Sequence, residues 1–157
     1  MKKYLFICFI FLFFSCEQDD VINEEDEKVA NELWTEINGY PGWNQSVEWS
    51  GIKQSLDGTH GNFVQIWFNN LADSSFKDST ISVLSEGSII VKEGYATSDG
   101  SGSKTITLMK KIHDYNPSHG DWFWASYSES GSINSAGRLN NCISCHISGV
   151  DYVRFNN

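Results

Sequence analysis

The stretch Ser88-Ile89-Ile90-Val91-Lys92-Glu93 carries the strongest strand signal in this chain of 157 residues. It is rich in β-branched residues, which favour extended backbone. Side chains alternate between the two faces of a strand, so Ile90 shares a face with Lys92, and Val91 with Glu93. A strand that continues to Glu93 therefore points one charge toward an apolar face. From periodicity alone we favour a strand that ends at Val91, with both charges in solvent.

Three further segments have strand composition, namely Phe63 to Phe68, Thr105 to Met109 and Trp122 to Tyr127. Their spacing along the chain leaves room for turns between neighbours, which is typical of an antiparallel sheet. The segment that starts at Phe63 is apolar on both faces. We therefore expect it to be covered on both sides.

Helical spacing of apolar residues predicts an amphipathic helix from Glu25 to Asn38. Asn69 to Phe76 is compatible with a second, short helix, and about one helical turn is expected just before Cys142. Glu129 to Ala136 is polar and predicts a loop. No long helical periodicity follows Asn38, which excludes a helical bundle. The predicted fold class is α+β, mostly antiparallel β-sheet with two or three helices.

The chemistry of the chain centres on Cys142-Ile143-Ser144-Cys145-His146, the pattern of a c-type haem attachment site. Two thiols separated by two residues can reach two vinyl groups on one edge of a haem. The imidazole that follows supplies the proximal iron ligand. A thioredoxin-like redox pair would lie near a βαβ unit, and a zinc site would need a second Cys/His pair. We therefore predict one covalently bound haem c.

The position of this motif leaves the sixth iron ligand open. Only Ile147 to Asn157 follow it, and they contain neither Met nor His. Upstream candidates exist, but each has an ordinary alternative as a core residue or a solvated turn residue. They are Met109, His60, His113 and His119. A filled sixth position would suit electron transfer, whereas an open one would bind or transform a small ligand.

The N-terminus predicts export and membrane attachment. Residues 1–15 combine a basic start with an apolar run too short to span a bilayer, which is typical of a signal peptide. Cys16 directly follows Ser15, as in a bacterial lipobox, so we expect Cys16 to carry the lipid; the alternative is ordinary cleavage nearby. Residues 16–28 are acidic and predict a solvated tether, followed by one domain over residues 29–157. The expected location is the outer membrane, facing the periplasm or the cell surface.

Composition narrows the range of partners. The formal net charge of −9 excludes a basic nucleic-acid interface of the usual kind. An acidic surface can dock a basic redox partner, although solubility alone also explains it. The 6 Trp residues all lie in the predicted domain, where they can line a haem pocket or fill an ordinary core.

Taken together, the motifs resemble those of the cytochrome P-460 and cytochrome c′-beta family, over nearly the whole predicted domain. The matching pieces, in chain order, are His60-Gly61, Asn69, Ala72, Gly87 to Glu93, Leu108 to Lys111, Gly120 to Phe123, Cys142 to His146 and Asp151. The resemblance implies a mostly antiparallel β-fold, a homodimer and a largely five-coordinate c-haem. It assigns Cys142 and Cys145 to the thioethers and His146 to the proximal position.

The same resemblance reverses the expectation for Lys92. In the P-460 branch a lysine forms an additional covalent bond to the haem macrocycle, and Lys92 matches that lysine in the Val-Lys-Glu run. This assignment would explain a lysine that points toward an apolar face. A third covalent attachment distorts the macrocycle and so changes its electronic properties.

Two activities follow from the two branches of the family. Hydroxylamine-oxidising members are thought to use a distal carboxylate shortly before the haem motif, because that reaction removes protons. Here Ala136-Gly137-Arg138 contains no acid, and Glu129 is the nearest candidate upstream.

The c′-beta branch instead binds nitric oxide in an apolar, aromatic-capped pocket, for which Phe63, Trp67 and Phe68 are candidates. We therefore favour an open distal site that binds nitric oxide or a related nitrogen species. Hydroxylamine oxidation and electron transfer remain as alternatives.

Overall fold

The structure, a computed structural model, describes residues 22–46, 49–78 and 82–154. The predicted signal peptide and Cys16 lie outside these ranges. The described helices are α1 (Glu24–Glu36), α2 (Asn70–Lys77) and α3 (Asn140–His146). The described strands are β1 (Lys53–Gln54), β2 (Phe63–Phe68), β3 (Ile89–Tyr95), β4 (Lys104–Lys111), β5 (Trp122–Ser128) and β6 (Ile133–Gly137). None of the described helices is long and apolar enough to cross a membrane.

The six strands form one sheet in which each strand pairs with its neighbours in sequence, in the order β1 to β6. Every pairing is antiparallel, so the sheet is a meander, with α2 in the connection between β2 and β3. The predicted α+β class, with a mostly antiparallel sheet and helices at its faces, is confirmed.

Strand β3 is longer than periodicity alone suggested. It runs to Tyr95, and it pairs with β2 and β4 along its whole length. A strand that is hydrogen-bonded on both sides continues its register past Val91, whatever the charge of the next side chains. The expectation that Lys92 and Glu93 are both solvated was therefore wrong. Glu93 is only 2% exposed, and Lys92 is partly buried on the opposite face.

The buried Glu93 carboxylate is compensated by three partners. It accepts hydrogen bonds from the hydroxyls of Tyr40 and Tyr95, and its Oε1 lies 2.5 Å from Nζ of Lys104. Burial and the adjacent carboxylate raise the pKa of both tyrosines. A buried charge with these partners avoids most of the cost of leaving water. Glu93 is thus explained as part of the protein interior, on the face of the sheet away from Lys92.

The two faces of the sheet are covered differently. Helix α1 packs against one face, where Leu33 joins a core cluster that includes Trp67 and Val91. Ile66 and Phe68 belong to a second cluster on the other face, together with residues of α2 and α3. Strand β2 is therefore covered on both sides, as its apolar composition predicted.

The segment before the haem motif differs from prediction. Residues 133–137 form β6, which pairs with β5, rather than the polar loop expected over Glu129 to Ala136. This strand lies at the edge of the sheet, and Ile133 is its only large apolar residue. An edge strand needs no alternating apolar pattern when a neighbour supplies its hydrogen bonds, and for this reason composition did not reveal it.

Helix α1 confirms the predicted N-terminal helix and shortens the predicted tether. It begins at Glu24, so residues 24–28 are helical, although they were also assigned to the acidic tether. The Asn23 side chain caps the helix by accepting from the backbone N–H of Asp26. Four acidic residues in the first turn interact favourably with the helix dipole, which explains why an acidic stretch folds here.

Candidate functional site

Helix α3 carries the whole Cys-x-x-Cys-His motif. Cys142, Cys145 and His146 stand at relative positions i, i+3 and i+4 of Asn140–His146, so they share one face of the helix. All three line the same cavity, and both cysteines are free thiols. The helix therefore brings the two thiols and the imidazole predicted from the sequence to one site.

The cavity lies between α3 and the face of the sheet opposite α1. Its empty volume is about 840 Å³, including the part open to solvent. A row of paired residues crosses the sheet beneath it, because strand register aligns their side chains. The members of this row that line the cavity are Ile66, Lys92, Thr107, Ser126 and Ser135.

His146 is oriented by the backbone. Its Nδ1 donates to the carbonyl oxygen of Tyr152 at 2.8 Å, which fixes the tautomer and leaves Nε2 as the basic nitrogen. The ring packs against Trp124, with ring centres 4.8 Å apart. Burial lowers the pKa of His146, which favours the neutral imidazole that a metal requires. Metal-ligating histidines commonly show this kind of support from a backbone carbonyl.

The residues of the cavity fit a covalently bound haem. Besides the thiols and His146, the indole N–H of Trp124 is buried without a hydrogen-bond partner among the described residues. Trp124 is 4% exposed and lines the cavity. A buried donor without a partner is costly, which is the expected condition when its acceptor belongs to a bound group.

Lys92 also lines the cavity. Its side chain makes no hydrogen bond or ion pair within the described parts of the chain, and burial lowers its pKa. The motif cysteines and His146 line the same space. The structure therefore brings Lys92 to the cavity of the motif, and its bond to the haem stays a prediction.

Two of the four candidates for a sixth iron ligand line the cavity, and two do not. Met109 and His60 line the cavity, whereas His113 is exposed and His119 contacts the Tyr152 hydroxyl at 3.2 Å. The solvated role expected for His60 does not hold, because its imidazole is partly buried. Burial is the main reason that the pKa of His60 falls to about 4, so this ring is neutral at physiological pH.

Glu129 does not reach the cavity, which corrects its weak assignment as a base. It is exposed and lies near Tyr40 and Lys104, on the α1 side of the sheet. Glu129 lies in the turn between β5 and β6. No aspartate or glutamate is found among the described residues that line the cavity.

The proposed aromatic cap is also placed differently. Trp67 belongs to the α1-side cluster, and neither Phe63 nor Phe68 lines the cavity. The aromatic side chain that does line it is Trp124. Strand alternation explains the difference for Trp67, since it points away from Ile66 and Lys92.

Sequence patterns missed several residues of the site. Arg154 lines the cavity, and its Nη1 lies 3.0 Å from Sγ of Cys145. Thr107 and Ser126 lie in strands that were predicted from their apolar residues, so these two polar residues were not considered. The strand register could have identified them, because Thr107 pairs with Lys92 and Ser126 pairs with Thr107.

Comparison with known proteins gives one positive result. A family model described as Cytochrome P460 matches residues 37–153, which is most of the chain. The matched segment contains the cavity residues described above except Arg154, which directly follows its last residue. No curated protein matches the chain significantly.

Proposed function

Since the chain belongs to the cytochrome P460 family and is accordingly a haem protein, we propose that it binds one haem c and uses it to bind nitric oxide or a related small nitrogen species. The observation that carries this proposal is the convergence of Cys142, Cys145 and His146 on one cavity, in which the described lining residues include no carboxylate. Haem iron, when bound, supplies a coordination position for small ligands and one-electron chemistry.

The residues of the chain take distinct roles in this proposal. The thiols of Cys142 and Cys145 would hold the haem once each S–H has added across one vinyl group, which needs no oxidant. The imidazole of His146 would ligate iron through Nε2, with its orientation held by the Tyr152 carbonyl. No carboxylate is found among the described residues that line the cavity, which favours reversible ligand binding over an oxidation that removes protons through a carboxylate base.

Nitric oxide binding is the first expected outcome. The full chain, matured with c-type haem machinery and reduced, should form a 1:1 complex with nitric oxide, seen as a shift of its main absorption band. Hydroxylamine with an artificial electron acceptor should give no turnover above the background of a haem-free variant. Rapid hydroxylamine turnover without a nitric oxide complex would contradict the proposal and favour an oxidising enzyme.

Lys92 supports a second candidate, a haem with a lysine cross-link as in the hydroxylamine-oxidising branch. Its side chain lines the cavity and has no partner among the described residues, and its lowered pKa increases the share of nucleophilic neutral amine. Bond formation would join Nζ to a macrocycle carbon, with loss of one hydrogen from each. The two electrons would pass to an oxidant such as peroxide. The absence of a carboxylate among the described lining residues weighs against the oxidase activity but not against the bond itself.

Peptide mapping tests the cross-link. After exposure of the matured protein to peroxide, we expect proteolysis to release one haem-bearing species that contains both the Cys142–Cys145 segment and the Lys92 segment. K92M should release haem only with the cysteine segment, and K77M, at a lysine exposed on α2, should behave like wild type. A wild-type map identical to that of K92M would exclude the bond.

The cellular setting remains a prediction from the sequence. We propose acylation of Cys16, attachment to the outer membrane with the domain in the periplasm or at the cell surface, and assembly as a homodimer. The net charge of −9 would suit a basic redox partner.

A further inference from the structure

His60 and His146 face each other across the site. His60 lies in the turn before β2, and its ring centre is 6.1 Å from that of His146, with the two planes at 81°. The two residues are far apart in sequence, so the meander of the sheet brings them together. Both line the cavity that contains the motif cysteines.

Each of the two rings keeps one nitrogen available. His146 uses Nδ1 to donate to the Tyr152 carbonyl, and Nδ1 of His60 lies 3.4 Å from the hydroxyl of Thr107. Within the described residues, Nε2 of neither ring has a hydrogen-bond partner. Two imidazoles with fixed Nδ1 atoms and available Nε2 atoms form a typical pair of metal ligands.

The separation of the rings favours one of two arrangements. Two imidazoles that bind one metal ion from opposite sides, with metal–nitrogen distances of about 2.0 Å, have ring centres roughly 6 Å apart. A distal histidine that leaves room for a small ligand between itself and the metal needs a separation about 2 Å larger, because the ligand occupies that space. The observed 6.1 Å matches direct ligation.

We propose that His60 is the sixth ligand of the haem iron, opposite His146, and that an external ligand must displace it to bind. This inference rests on the proposed haem site and adds a regulatory step to it. The protein would hold its iron closed in the resting state, so its apparent affinity for nitric oxide would be set partly by release of His60.

The surroundings of His60 favour release by side-chain rotation. Its backbone is packed closely on Gly94, where an added Cβ would lie 1.5 Å from the His60 carbonyl oxygen, so the turn itself has little room to shift. A second, smaller cavity adjoins the ring, and Leu56, Asp57 and Trp49 line it together with Cys145 and His146. We expect the imidazole to leave the iron by rotation toward Leu56 and Trp49, with the turn unchanged.

The decisive comparison uses the matured full chain and two histidine variants. Ferric wild type should give a low-spin, six-coordinate spectrum by absorption and electron paramagnetic resonance, and H60A should become high-spin and five-coordinate. H113A, at an exposed histidine, should match wild type. A five-coordinate wild type would overturn the proposal, and so would a six-coordinate H60A, which would point to Met109.

Ligand kinetics separate this proposal from the proposed function. The association rate of nitric oxide with the reduced wild type should level off at high ligand concentration, because release of His60 becomes limiting. In H60A it should stay proportional to concentration and be about tenfold faster or more. If H60A is five-coordinate but binds no nitric oxide, the ligand-binding function fails while the assignment of His60 stands. Equal, non-saturating rates in both proteins would overturn the regulatory step.

Discussion

The double substitution C142S/C145S is expected to abolish covalent haem attachment while leaving the domain folded. Serine is close to cysteine in size but cannot form a thioether with a vinyl group. Both side chains lie on α3 and are only partly buried, so the exchange leaves no large cavity. Haem staining after denaturing electrophoresis should show complete loss in the double variant. Each single variant should retain one thioether at reduced yield.

Ser144 provides the matched control within the same helix. It is exposed, and its hydroxyl contacts only the carbonyl oxygen of Asn141 within the described structure. S144A should attach haem as wild type does. Circular dichroism of C142S/C145S should match that of wild-type protein produced without haem maturation. Haem that stays with the denatured double variant would refute the assignment of the two thiols.

Gly94→Ala is expected to have the largest effect on the structure around the site. A Cβ at this position would lie 1.5 Å from the carbonyl oxygen of His60 and 2.7 Å from its carbonyl carbon. Backbone atoms cannot yield as a flexible side-chain tip can, so the turn at His60 must move. Overpacking of this kind costs about 1–3 kcal/mol and sometimes more, and we expect the upper end of that range.

Two measurements follow from this clash. Urea unfolding of G94A should give a free energy of unfolding about 3 kcal/mol below that of wild type. Displacement of His60 should also convert much of the ferric protein to the five-coordinate form. G42A is the control, because nothing lies within 4 Å of a Cβ at Gly42 and its φ is not positive. Equal stability of G94A and G42A would contradict the close packing of β3 against the turn.

The sheet was largely predictable because its central strands are rich in β-branched and aromatic residues. Strands β2, β4 and β5 appear within three residues of the predicted bounds. Strand β6 was not predictable, because an edge strand with one large apolar residue, Ile133, carries no apolar periodicity. Its backbone hydrogen bonds are made with β5, and this pairing cannot be inferred from the composition of residues 133–137 alone.

For Lys92 and Glu93, periodicity alone gave the wrong prediction of side-chain exposure. Periodicity alone favoured solvent for both, since buried charges are rare. Glu93 is buried because Tyr40, Tyr95 and Lys104 converge on it, and none of these partners can be inferred from the stretch itself. Only the family resemblance indicated the correct side for Lys92.

The Cys-x-x-Cys-His motif was predictable, whereas its surroundings were not. Cys142, Cys145 and His146 lie close together in sequence, and a helix brings them to one face. The orientation of His146 depends on Tyr152, and the opposing ring belongs to His60, more than eighty residues earlier. These relations are set by tertiary packing, so a single sequence could offer His60 only as one of four candidates.

The most direct test of the account is extraction of the matured, purified full chain with acidified acetone, followed by the absorption spectrum of each phase. Covalent attachment through Cys142 and Cys145 predicts that the haem absorbance stays entirely with the precipitated polypeptide. Haem that passes into the organic phase, or a chain without haem absorption after maturation, would contradict the central claim.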